Sequence, residues 1–305
     1  MAHHHHHHHR SADQETEPGV PADLPAESDP AALERLAARY RRDGYVHVPG
    51  VLDAGEVAEY LAEARRLLAH EESVRWGSGA GTVMDYVADA QLGSDTMRRL
   101  ATHPRIAALA EYLAGSPLRL FKLEVLLKEN KEKDASVPTA PHHDAFAFPF
   151  STAGTALTAW VALVDVPVER GCMTFVPGSH LLPDPDTGDE PWAGAFTRPG
   201  EIWMPRVTVP LRAGDCTFHH ARTVHSAGAN STDEPRLSTS AVYMDATAAY
   251  RPTGIAFLDD LPGTGADPLR EGAPLTGDRF PLLRRPQTRQ PAPARYPLPQ
   301  QGHGS

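Results

Sequence analysis

The sequence predicts a mainly β protein with flanking helices, a small barrel or sandwich of short strands with N-terminal helices covering one sheet. Three observations predict it. Apolar stripes at helical spacing are confined to the chain before Gly115. Beyond Gly115, short alternating segments follow one another. Turn signals separate them: Glu169-Arg170-Gly171, Pro177-Gly178-Ser179, Ala213-Gly214-Asp215 and Ala227-Gly228-Ala229-Asn230.

Asp29 followed by Pro30 forms an N-cap and first-turn pair, and Leu33, Leu36, Ala37 and Tyr40 then share one helical face. Val46-His47-Val48 is a short strand ended by Pro49-Gly50. Asp53 and Glu56 make a capping box ahead of the apolar stripe Val57, Tyr60, Leu61, Ala64, Leu67, Leu68. A further helix carries Ile106, Leu109, Ala110 and Leu113 and stops at Gly115. Leu118 to Lys128 alternates: Phe121, Leu123, Val125 and Leu127 face one way, toward the helices, and Lys122, Glu124, Leu126 and Lys128 face the other, into the pocket. Strands follow at Thr155–Val164, Met173–Val176, Arg206–Leu211, Cys216–His219, Val224–Ser226 and Leu237–Tyr243.

The run His3 to His9 reads as an affinity tag, and 1–28 as a tag followed by a disordered acidic segment. The Pro-rich stretch 284–305 reads as a disordered tail, which leaves 29–283 as a single folded domain. Lys+Arg of 29 against Asp+Glu of 39 gives a net charge of −10, which argues against a nucleic-acid surface or a polybasic membrane anchor. No apolar run approaches a membrane span and no secretory leader is visible, so the expected compartment is cytoplasmic. Cys172 and Cys216 alone make neither a disulfide framework nor a thiolate zinc site.

The chemistry is concentrated in Pro141-His142-His143-Asp144, read with His225 and Arg236. In an extended segment residues i and i+2 point the same way, so His142 and Asp144 converge while His143 turns away. Two neutral imidazoles and a carboxylate cap one face of an octahedral Fe(II) and leave three positions open. By itself His-x-Asp is a common incidental tripeptide, and a lone histidine is more often a hydrogen-bonded structural residue. His180, His219 and His220 compete with His225 for the third place. His225 is favoured because it stands eleven residues before Arg236, which is suited to hold the remote carboxylate of a dicarboxylic co-substrate. The aromatic run Ala145-Phe146-Ala147-Phe148-Pro149-Phe150 offers an apolar wall to such a centre, or is core.

Taken together, these blocks resemble the phytanoyl-CoA dioxygenase family of Fe(II)/2-oxoglutarate oxygenases. The resemblance runs from Tyr40-Arg41-Arg42-Asp43-Gly44-Tyr45 through Pro49-Gly50-Val51-Leu52, then His142-His143-Asp144 and Ala159-Trp160 to Asp165. It continues through Gly171-Cys172-Met173, Val176-Pro177-Gly178-Ser179-His180 and Gly214-Asp215, and ends with His225-Ser226-Ala227-Gly228-Ala229-Asn230 and Arg236. It implies a double-stranded β-helix, a jelly-roll or cupin-like barrel with the N-terminal helices on its major sheet. It further implies Fe(II), 2-oxoglutarate and O₂, with ascorbate as a stimulant. By the same resemblance His142, Asp144 and His225 are the iron ligands, and Arg236 pairs with the distal carboxylate of 2-oxoglutarate. Thr158, Trp160, Ser238 and Lys122 are the other co-substrate candidates. Where the family often has a polar group two residues after the distal histidine, this chain has Ala227.

The activity implied is hydroxylation of an unactivated C–H in a small metabolite, with release of succinate and CO₂. Desaturation, epoxidation and cyclisation use the same centre. Asp144 argues against halogenation, since related halogenases carry a small residue in its place. The competing classes are a cupin-like zinc or manganese hydrolase or isomerase and a barrel that only binds a ligand. Glu124, Phe146, Phe148, Trp192 and Trp203 are the substrate candidates, the last two from a Leu181–Arg206 segment that reads as a lid over the barrel mouth. No nucleic acid or membrane partner is expected.

Overall fold

The computed structural model describes residues 29–130, 132–133, 135–183 and 199–284. Helix α1 (Pro30–Asp43) starts at Asp29, whose carboxylate accepts from the Ala31 amide, and ends at Gly44 in the left-handed region at φ 80°. Strand β1 (Tyr45–Val48) leads into α2 (Ala54–His70), where the capping box of Asp53 and Glu56 is formed in both directions. A hairpin follows, β2 (Val74–Ser78) and β3 (Gly81–Val87), then α3 (Ala90–Gly93), α4 (Asp95–Ala101) and α5 (Pro104–Ala114). The remaining strands are β4 (Leu118–Lys128), β5 (Thr139–His142), β6 (Leu157–Ala162), β7 (Met173–Phe175), β8 (Val207–Val209), β9 (Cys216–His220), β10 (His225–Ala227) and β11 (Arg236–Asp245).

Two antiparallel sheets result. The larger runs β1-β9-β6-β11-β4-β3-β2 and the smaller β5-β10-β7-β8. The rear of the large sheet is covered by helices: Leu33, Leu36, Leu67, Leu100, Ile106 and Leu109 bury against Leu123, Val125, Leu157, Phe218 and Tyr243. A second apolar layer fills the space between the sheets, with Leu126, Trp160 and Ala162 on one side and Met173, Phe175 and Ala227 on the other. A third cluster, built on Phe121, Phe148, Phe150 and Phe280, closes one end.

The expected closed barrel is not what forms. The fold is mixed α/β rather than mainly β, and no hydrogen-bonded ladder joins the two sheets among the described residues, so neither closes into a double-stranded β-helix. Side-chain packing, not a continuous backbone ladder, holds the sheets face to face. Alternation reveals which residues are strands and which way they face, but it carries no information about whether sheet edges meet. The hairpin β2–β3 also went unpredicted. Its edge strand β2 is exposed along its whole length and lacks the apolar alternation that marks a half-buried strand.

Candidate metal centre and co-substrate pocket

His142 ends β5 and His225 begins β10, and the two are paired in register in the small sheet. Asp144 follows β5, and its amide donates to the Ala221 carbonyl at 2.9 Å, which fixes the loop that carries it. The three ligand atoms lie within 4.8 Å of one another. From Asp144 Oδ1, His142 Nε2 is 3.4 Å away and His225 Nε2 is 3.7 Å away. Bonds of about 2.1 Å to one ion place adjacent octahedral ligands roughly 3 Å apart, so only a small contraction would seat a metal.

The second nitrogens of both histidines are already committed. His142 Nδ1 donates to the Ala140 carbonyl at 2.8 Å and His225 Nδ1 to the Thr223 carbonyl at 2.9 Å. With the proton on Nδ1, the Nε2 of each ring is the nitrogen left for a metal, the arrangement a metal-binding histidine requires. Burial pushes His225 down to about 3, so it stays neutral. Burial opposes the charge of Asp144, but its neighbours His225, His142 and His219 outweigh it and hold the carboxyl well below the usual range. His219, on β9, reaches the other carboxylate oxygen at 3.2 Å. The donor set fits Fe(II).

A pocket of about 190 Å³ opens beside this triad. Its floor is the large sheet, through Lys122, Glu124 and Leu126 of β4, Thr158 and Trp160 of β6, and Arg236, Ser240 and Val242 of β11. Arg236 is 2 % exposed and lies 5.2 Å from the centroid of the Trp160 ring. Its Nη1 donates to the Gly171 carbonyl at 2.8 Å, Nη2 touches Met84 Sδ at 3.5 Å, and Nε has no partner. Gly171 is required there: its φ is +89°, and a Cβ would meet the Gly228 carbonyl oxygen at 2.6 Å. The hydroxyls of Thr158 and Ser238 are likewise buried without a partner. Buried polar atoms are normally satisfied, so this row of orphans is the signature of a site completed by a polar ligand.

Of the residues singled out in the sequence, the triad, Arg236, Thr158, Trp160, Lys122, Glu124 and Phe148 all line this pocket. Ser238 lies on the same face of β11, fully buried. Lys122 is not near Arg236. It sits six positions along β4 from Lys128, the residue opposite Arg236, and its Nζ is 2.6 Å from Glu124 Oε1. Phe146 turns its ring edge to His143 at 5.6 Å instead of lining the pocket. Trp203 is 84 % exposed and does not reach it, and Trp192 lies outside the described residues. Sequence reasoning missed Trp76 and Met84 of the hairpin, both pocket-lining. His225, ranked above His219 from the sequence, is the residue that groups with His142 and Asp144, while His219 lines the pocket and contacts Asp144.

Comparison with known proteins follows the same lines. Residues 40–238 match the model of the family described as phytanoyl-CoA dioxygenase (PhyH). The chain is 98% identical to a structure described as the non-heme alpha ketoglutarate dependent epimerase SnoN from nogalamycin biosynthesis, covering 86% of this chain and 100% of that one at a TM-score of 0.82. It is 40% identical to the non-heme alpha ketoglutarate dependent carbocyclase SnoK from nogalamycin biosynthesis, over 87% and 99% of the two chains at a TM-score of 0.72. Among characterised sequences it is 23% identical to the peroxisomal phytanoyl-CoA dioxygenase of Rattus norvegicus, over 69% of this chain and 68% of that protein. The matching proteins of Bos taurus, Homo sapiens and Mus musculus are also peroxisomal by name, which overturns the cytoplasmic expectation. No helix among the described residues is long and apolar enough to cross a membrane.

Proposed function

The chain belongs to the phytanoyl-CoA dioxygenase family of Fe(II)/2-oxoglutarate oxygenases, and from that premise we propose that it is an epimerase, inverting one C–H centre of an intermediate in nogalamycin biosynthesis. The observation that carries the choice is the 98% identity to an epimerase along that protein's whole length. Plain hydroxylation, the expectation from sequence, gives way to it. The 40% identical carbocyclase favours cyclisation as the second reading.

The residues divide the work along the pocket. His142, Asp144 and His225 would hold Fe(II), with His219 steering the free oxygen of Asp144. Iron with 2-oxoglutarate and O₂ supplies an oxidant strong enough to remove hydrogen from an unactivated carbon, with succinate and CO₂ as by-products. Arg236, stacked on Trp160, would take the distal carboxylate of 2-oxoglutarate, with the orphaned Ser238 hydroxyl on the same face. Trp76, Ala147, Phe148 and Val242 give the other part of the cavity an apolar lining, and Lys122 with Glu124 offers it polar contacts. Placement of one C–H bond, rather than acid–base chemistry, is then the task of the protein.

Electron balance separates the readings. Cyclisation withdraws two hydrogens from the substrate and hydroxylation inserts oxygen, and both close the balance with one 2-oxoglutarate and one O₂. Inversion returns a hydrogen to the substrate, so two electrons and two protons must come from a reductant of the ascorbate class. The test is turnover of the un-inverted intermediate in D₂O under ¹⁸O₂ with ascorbate. An inverted product without ¹⁸O, formed with about one ascorbate oxidised per succinate released, is expected. Product carrying ¹⁸O, or two hydrogens lighter with no ascorbate consumed, overturns the epimerase reading.

A further inference from the structure

Lys128 is 1 % exposed, and among the described residues its ammonium makes one hydrogen bond, from Nζ to the Val137 carbonyl at 3.1 Å. It ends β4 on the pocket-facing side of that strand, directly across from Arg236 on β11. Two buried cations therefore sit side by side. Neither has a carboxylate partner among the described residues. Among the described residues the groups around them supply no anion. The one titratable neighbour that favours the Arg236 charge is the Cys172 thiol, whose pKa burial pushes up and which therefore stays protonated. From β3, Asp85 turns to Arg75 at 2.9 Å, and the loop facing Nζ (135–138) carries nothing titratable. Glu129, just past the end of β4, is engaged with Asn130, whose amide and Nδ2 donate to its Oε1 at 3.0 and 3.2 Å.

A fully buried ammonium with one carbonyl acceptor is costly, and a second cation beside it adds to that cost. Such an arrangement is sustainable in two ways: the lysine gives up its proton, or an anion arrives. Burial first, then the charge of Arg236, draws Lys128 down to about 7, so near neutral pH it is poised between the two states. The incoming anion is the dicarboxylate end already argued for Arg236.

We propose that Lys128 is a positioning residue for 2-oxoglutarate, a second cation behind Arg236 that is neutral while the carboxylate seat is empty and charged when it is filled, so that co-substrate binding draws a proton into the protein. This rests on the reading of Arg236 as the carboxylate seat. It differs from a fixed two-cation site in one consequence: affinity and proton uptake are linked, and affinity falls as pH rises above the point where the free lysine loses its proton. Lys122, whose charge is already matched by Glu124, takes no part.

The experiment is calorimetric titration of the anaerobic Fe(II)-loaded protein with 2-oxoglutarate at pH 8, in buffers of different ionisation enthalpy. Uptake of about 0.9 proton per co-substrate is expected for a lysine poised near 7 that becomes fully charged. Lys128→Met is expected to abolish the uptake and weaken binding about tenfold, while Lys128→Arg, charged throughout, binds without uptake. Uptake below about 0.2 proton in the unaltered protein, or uptake that survives in Lys128→Met, overturns the proposal. Should Lys128→Met fail to fold, the buffer series on the unaltered protein still decides. Absence of any Fe(II)-dependent 2-oxoglutarate binding removes the functional reading and this inference together, whereas binding without proton uptake removes this inference alone.

Discussion

The two ends of the pocket floor solve the same electrostatic problem in opposite ways. Both are built on the inward face of β4. At one end Lys122 is neutralised within the protein: burial opposes its charge, but Glu124 at 2.6 Å and Asp89 outweigh burial and raise its pKa. At the other end Lys128 and Arg236 have no anionic partner among the described residues and are both lowered, by burial first. Six residues of strand, about 20 Å, separate the two lysines. A self-neutralised pair suits a ligand that is polar and uncharged, or that exchanges hydrogen bonds with both partners. An unmatched pair of cations suits only an anion. The contrast supports our proposal that the Arg236 end takes the dicarboxylic co-substrate and the Glu124 end the molecule being transformed, with the metal ligands beside both.

The largest effect is expected at those shared ligands. Asp144→Ala should lower iron affinity and coupled turnover by more than roughly 100-fold, whereas His219→Phe, which removes only the contact to the free carboxylate oxygen, should fall within roughly 10–100-fold. Iron content and succinate release measure both. Equal losses from the two variants would mean that His219 is itself a ligand. Next comes Arg236→Met, for which the KM for 2-oxoglutarate should rise about 100-fold with the substrate KM unmoved. A rise in both would show that the two ends are not separate sites.

The ion-paired end should respond in the complementary sense. Glu124→Gln keeps the shape and removes the charge, so the substrate KM should rise about tenfold while the KM for 2-oxoglutarate holds. Replacing the whole pair, Lys122→Met with Glu124→Leu, should leave the thermal midpoint unchanged or higher, because a partly buried ion pair seldom outweighs its desolvation. A marked fall in the midpoint would identify the pair as structural and weaken the division of the floor.

Much of this was legible in the sequence. The i, i+2 spacing of His142 and Asp144 pointed to their convergence, and alternation along β4 put Lys122, Glu124 and Leu126 on the face that lines the pocket, although Phe121, expected toward the helices, packs with Phe148 and Phe150 instead. What alternation omits is the partner strand. Whether an inward lysine meets Glu124 two residues away or Arg236 across the sheet depends on register, and that is why Lys122 drew attention as a co-substrate contact while Lys128 did not. Register also decided the fate of the barrel, since local patterns cannot say whether distant edges meet. Trp76 and Met84 escaped because β2 is exposed and its hairpin shows little apolar periodicity, although Gly77-Ser78-Gly79-Ala80-Gly81 between the two strands is a plain turn signal.

The smallest effect is also the one that isolates the cationic end without any ligand. In the unfolded chain Lys128 keeps its proton to about 10.4, whereas in the folded protein it is drawn down to about 7. Between those values the unfolded state binds more protons, so stability rises with pH there. Below about 7 both states are charged and the full penalty of the buried ammonium is felt. Urea unfolding at pH 7 and pH 8 should therefore show a Lys128 contribution of about 1 kcal/mol in favour of the higher pH. It is read as the difference between the unaltered protein and Lys128→Met, so that other titrating groups cancel. The corresponding difference for Lys122→Met should have the opposite sign or vanish, because its folded-state pKa is raised and its charge is matched. Parallel pH dependences for the two variants would mean that the ends of the floor do not differ electrostatically, and the comparison would fail at its foundation.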